Sequence, residues 1–136
     1  MAFSLQAEAQ TAPALLDPRD AAGAMTQAVA AQDANAVAAL YLPEAILLGP
    51  GLPPVAGQAA IRDVWARNFA AGFATLTFDD IRLARGQDSA AIVWTWTGRI
   101  APQGQPVQVL RGRSLVYFTL TPDGWRISAD MWQAAP

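Results

Sequence analysis

The sequence predicts an α+β domain, with three N-terminal helices on the concave face of a curved antiparallel sheet. Two observations carry this. Apolar residues recur at helical spacing up to about residue 71 and with a period of two from residue 75 onward. The later segments are joined by "RGQDS", "APQGQP" and "TPDG", links short enough to imply antiparallel neighbours. Helices first and strands afterwards give segregated layers, and a cavity between them is the place for a small ligand.

Each element has its own signal. Residues 1 to about 14 are rich in Ala and Gln without a period and read as a loosely held arm, leaving 15–136 as a single domain. "DPRD" starts the first helix, with Asp17 as N-cap, Pro18 at the first helical position and Asp20 in the first turn. It runs to about Gln32, with Met25 and Val29 facing inward. Asp33 caps a second, short helix that stops before Pro43. "EAILLG" follows as a strand and "PGLPPVAGQ" as a turn. The third helix spans about Gln58 to Ala71, with Ile61, Val64, Trp65 and Phe69 on one side and an Asp63–Arg67 pair on the wet side. Strands are expected over about 75–85, 89–100, 107–120 and 125–133, with a bulge near Asp79-Asp80 where the apolar parity switches.

Composition excludes several chemistries. The chain has no His, no Cys and no Lys, and its nine cations are all Arg. A Ser-His-Asp triad, a thiolate nucleophile, a Schiff-base amine and an imidazole or thiolate metal site are thereby ruled out. No cofactor or metal is expected. A net charge of −2 argues against nucleic acid as a partner. No apolar run approaches the roughly 20 residues of a membrane span, and the first residues lack the pattern of a signal peptide, so a cytoplasmic location is expected. At 136 residues, roughly two-thirds of the unfolded surface can be buried, enough for a real core.

The helix–strand–loop–helix run "AQDANAVAALYLPEAILLGPGLPPVAGQAAIRDVW" and the closing "GWRISADMWQ" resemble the nuclear transport factor 2-like superfamily. This superfamily includes ketosteroid isomerases and SnoaL-like cyclases. The second motif is similar to the SgcJ/EcaC-like branch of small proteins. The resemblance spans residues 17–133 and implies a cone-shaped α+β barrel with a cavity. The isomerase chemistry of the family does not transfer. Gly49 stands where its carboxylate base belongs, Met25 where its Tyr donor belongs, and Ser114 where its protonated acid belongs. The acid and His of the cyclases correspond roughly to Gln133 and Met131.

Strand parity assigns the candidate site. Even positions of 107–120 and of 89–100 face inward, because the odd ones carry Arg111, Arg113 and Arg99. In the last strand Trp125, Ile127, Ala129 and Met131 share the inward face. Asp130 and Trp132 are then expected on the convex face, with Asp130 paired to Arg111 or Arg113. A bulge in that strand would reverse this and put Asp130 in the pocket. The cavity is expected to be lined by Trp65, Phe69, Trp94, Trp96, Phe118 and Met131, with Met25, Leu47, Leu110 and Val116. Tyr41, Ser114 and Gln133 are its polar groups.

These residues describe a domain that binds a hydrophobic or aromatic small molecule without assignable chemistry. An isomerase, cyclase or lyase with Asp130 or Tyr41 as proton donor is the alternative. A purely structural dimer domain is the third reading. A homodimer is expected through the convex face, which carries Val107, Val109, Leu115, Tyr117 and Trp132 among its arginines.

Overall fold

A computed structural model of the chain describes residues 13–136, so the expected arm falls almost wholly outside the described residues. The element order is α1 (Asp20–Ala30), α2 (Ala34–Ala38), β1 (Tyr41–Leu48), β2 (Val55–Ala56), α3 (Gln58–Ala70), β3 (Phe73–Arg85), β4 (Ser89–Ile100), β5 (Gln108–Thr121) and β6 (Gly124–Ala134). No helix among the described residues is long and apolar enough to cross a membrane.

The strands form one six-stranded sheet in the order β2-β1-β6-β5-β4-β3. Two features of the expected architecture are corrected by this order. The sheet is open: β2 and β3 are its two ends and do not pair, so there is no barrel and no strong curl. It is also mixed, because β1 runs parallel to β6, with Leu47 beside Asp130 and Leu48 beside Met131. Short links dictate antiparallel pairing only for the strands they join, β3 through β6. They say nothing of β1, which reaches its neighbour across most of the sequence.

Local chemistry sets the boundaries. Asp33 caps α2 by accepting from the Ala36 N–H at 3.0 Å. The Asp17 carboxylate instead accepts from the Arg19 N–H at 2.8 Å, and α1 starts only at Asp20. Asp63 pairs with Arg62 at 2.7 Å rather than with Arg67. Pro43 does not end a helix; it lies within β1, at the irregular stretch between Tyr41 and Ile46 where the register with β6 shifts. The bulge in β3 falls between Asp79 and Arg82, with Asp80 at φ +55°.

The core lies between the helices and one face of the sheet. α1 contributes Ala21, Ala22, Met25, Ala28 and Val29, and its alanines let the helix sit close. Beneath it Tyr41, Ile92, Phe118, Trp125 and Ile127 are fully buried. Full burial of such side chains contributes roughly 1.5–3 kcal/mol each.

Candidate functional site

Alternation along β4 and β5 points Trp94, Trp96 and Ser114 to the helix-covered face, and Val93, Leu115 and Tyr117 to the open one. On β6 the alternation is interrupted. Tyr117 pairs with Ala129 and Phe118 with Ile127, so Ser128 is an extra residue in β6. Beyond that bulge every side chain exchanges faces. Asp130 comes opposite Val116 of β5 and Leu47 of β1, and Trp132 comes opposite Ser114, all on the helix-covered side.

The expected outward placement of Asp130 and Trp132 is thereby corrected. Asp130 makes no ion pair with Arg111 or Arg113. Arg111 donates instead to Thr97 Oγ1 at 3.2 Å. Met131 and Gln133 are corrected in the opposite sense, since both end on the exposed side. Phe69 and Phe118 support the cavity from behind. Phe69 packs on Trp65 with ring centroids 5.6 Å apart, and Phe118 meets Trp94 edge-on at 6.5 Å.

A cavity of about 230 Å³ lies between helices and sheet. Its wall includes Tyr41, Trp65, Trp94, Trp96 and Ser114 from the sequence-derived set, together with Met25, Leu47 and Leu110. Parity alone had left out Asp130 and Trp132. Asn68 of α3 and the pair Phe73 and Phe78 of β3 also line it. The rings adjoin at steep angles: Trp96 and Trp132 lie 5.5 Å apart at 69°, and Phe78 and Trp94 lie 4.5 Å apart at 48°. Two glycines make room for them. A Cβ at Gly112 would fall 2.0 Å from Trp96, and one at Gly49 would fall 3.0 Å from Trp132 Nε1. The position expected to hold an isomerase base therefore lies against an indole.

The polar groups are few and specifically placed. Trp96 Nε1 donates to Ser114 Oγ at 3.0 Å, which occupies the indole N–H. Tyr41 Oη donates to Asp130 Oδ2 at 2.8 Å. The other carboxylate oxygen, Oδ1, is inaccessible to solvent and has no hydrogen-bond partner. Burial pushes the Asp130 carboxyl up to about 6, against the opposing pull of the Tyr41 bond. Burial, and then the Asp130 charge, hold the Tyr41 phenol well above its ordinary range, so Tyr41 keeps its proton. The arrangement is a single carboxylate with one oxygen fixed and one free, able to take up or release a proton near neutral pH. Among the described residues there is no group of three or more acidic side chains able to hold a metal ion.

A model of the SnoaL-like domain family matches residues 22–129. No curated protein matches the sequence. Solved structures of the same fold include an NTF2-like protein with a cystatin-like fold from Novosphingobium aromaticivorans, at TM-score 0.73 and 17% identity, covering 85% of this chain and 78% of that one. A ketosteroid isomerase-like protein from Erwinia carotovora atroseptica gives TM-score 0.71 and 20% identity, covering 87% and 94%. A candidate dehydratase of the NTF2-like family from Streptomyces avermitilis gives 0.74 and 18%, covering 86% and 93%.

Proposed function

The chain belongs to the SnoaL-like domain family, and from that premise we propose that it is a small-molecule enzyme of the isomerase, lyase or cyclase type in which Asp130 carries the proton. The observation behind this reading is the free, buried Oδ1 of Asp130 in an otherwise largely apolar cavity. In the reaction envisaged, the Asp130 carboxylate takes a proton from a ligand carbon or heteroatom. It returns the proton at a second position or to the leaving group, with no net redox change. Tyr41 is a positioning residue: its bond to Oδ2 fixes the orientation of the carboxylate. The cavity is smaller than the roughly 300–1,000 Å³ typical of drug-sized ligands, which favours a one-ring substrate over a fused polycycle.

The test has two parts. Carboxyl NMR should find Asp130 titrating near 6 rather than near 4. One-ring ketones and cyclic iminium salts in D₂O should show protein-dependent exchange of the C–H beside the C=O or C=N bond. That exchange should rise with pH through 6 and disappear in Asp130→Asn. A carboxyl titrating at its ordinary value, or exchange unchanged in the variant, would refute the reading.

The open face supports a homodimer. Leu115, Tyr117, Val93 and Met131 are each about half exposed there, beside Arg111 and Arg113. Met131 takes the place in this patch that parity had given to Trp132. Covering such a surface is favourable at ~25 cal/mol per Å², and its mixture of apolar side chains, Tyr and Arg matches interface cores.

A further inference from the structure

The charge balance of the cavity selects among ligands. Its wall carries one anion, Asp130 on β6, and none of the nine arginines. Among the described residues the only other titratable group facing it is Tyr41 on β1; α1, α3, β3, β4 and β5 contribute none. Four of the five tryptophans line it. Tyr41 donates to Oδ2, and Trp96 donates to Ser114 Oγ. Oδ1 has no hydrogen-bond partner and, when ionised, can only accept, so a ligand that brings a donor complements the carboxylate.

We infer that the ligand is a small organic cation, an ammonium or iminium group on one apolar ring, seated with its charge beside the Asp130 carboxylate in a cavity walled by the indoles of Trp94, Trp96 and Trp132. Indole faces attract cations, and most strongly where water is excluded. The same walls reject anions, since a ligand carboxylate would meet Asp130 with no arginine to balance it. A neutral ring would gain the apolar burial and leave Oδ1 without a charge partner. The inference rests on the cavity being the ligand site and does not require proton exchange.

Three probes of one shape decide it: benzylammonium, benzyl alcohol and benzoate, followed by tryptophan fluorescence and by the carboxyl NMR signal of Asp130. Benzylammonium should bind at least tenfold more tightly than benzyl alcohol, and benzoate should not bind. Bound ammonium should lower the Asp130 pKa, because a neighbouring cation favours the carboxylate. Asp130→Asn should abolish the preference. Benzyl alcohol binding as tightly as the ammonium, any binding of benzoate, or a preference that survives in the variant would overturn the inference. Should the variant not fold, an Asp130 pKa in the wild type that stays put or rises on adding benzylammonium would overturn it equally. Alcohol and ammonium binding alike would leave the proton-exchange reading standing. An Asp130 that titrates near 4, with the ammonium preference intact, would remove the proton-exchange reading and support the inference.

Discussion

The two faces of the central sheet come from the same strands, yet their chemistry is opposite. The cavity on the helix-covered face is lined by four indoles and one carboxylate, and by no arginine. The open face holds Arg111, Arg113 and half-exposed aliphatic residues, with no carboxylate from the end of β6. A single residue creates this division there. Without Ser128, Asp130 would lie among the arginines and Met131 in the cavity. A charge beside arginines on a wet face is an ordinary surface feature of little energetic consequence. The same charge under the helices has its proton affinity reset and one oxygen left without a protein partner.

Three substitutions sharpen the contrast. The largest effect is expected at Asp130. A carboxyl raised from 3.8 to about 6 makes the folded state bind more protons than the unfolded chain between those values. Its stability contribution is complete below about pH 4 and is lost as pH rises through 6, a change of about 3 kcal/mol. Asp130→Asn should remove that decline, so that urea unfolding finds the variant gaining on the wild type between pH 4 and pH 7. A difference that stays constant with pH would return Asp130 to the surface.

A smaller effect is expected at Gly112, where a methyl group would collide with Trp96. Gly112→Ala should cost about 2 kcal/mol by overpacking and should alter ligand-induced fluorescence. Unchanged stability would mean that the indole is not held where it is described. The smallest effect on folding is expected across the sheet at Leu115. Leu115→Arg should change unfolding of the subunit by no more than about 0.5 kcal/mol. Sedimentation should nevertheless find it monomeric where the wild type is dimeric, with probe binding in the cavity retained. A wild type that sediments as a monomer would break the comparison from the other side.

Much of this was legible in the sequence because the forces concerned are local or periodic. Asp33 as a cap, the α3 stripe, the β3 bulge and the inward parity of Trp94, Trp96 and Ser114 follow from neighbours within a few residues. The pairing of β1 with β6 did not follow, because parallel neighbours leave no linker to read. Nor did the placement of Asp130. "ISADMWQ" obeys alternation from Ile127 to Met131 and then places Met131 beside Trp132, two large apolar residues in succession. One of them has to leave the core. Alternation favours Met131 inside, whereas burying the larger indole favours Trp132. The bulge at Ser128 realises the second choice and takes Asp130 inward with it. That apolar doublet was the available signal, and strict alternation outweighed it.

The hydrogen bond between Tyr41 and Asp130 joins residues 89 positions apart. During synthesis at roughly 5–20 residues per second, Tyr41 precedes its partner by roughly 4–18 s. The first strand, the helices and the aromatic residues of β3 and β4 are therefore made well before β6 can take its place between β1 and β5. Throughout that interval the nascent chain presents an unpaired strand edge and uncovered indoles, a state open to aggregation and to chaperone capture. The acid on which the proposed chemistry depends arrives with the strand that ends this exposure, so the cavity acquires its reactive group only as the sheet is completed.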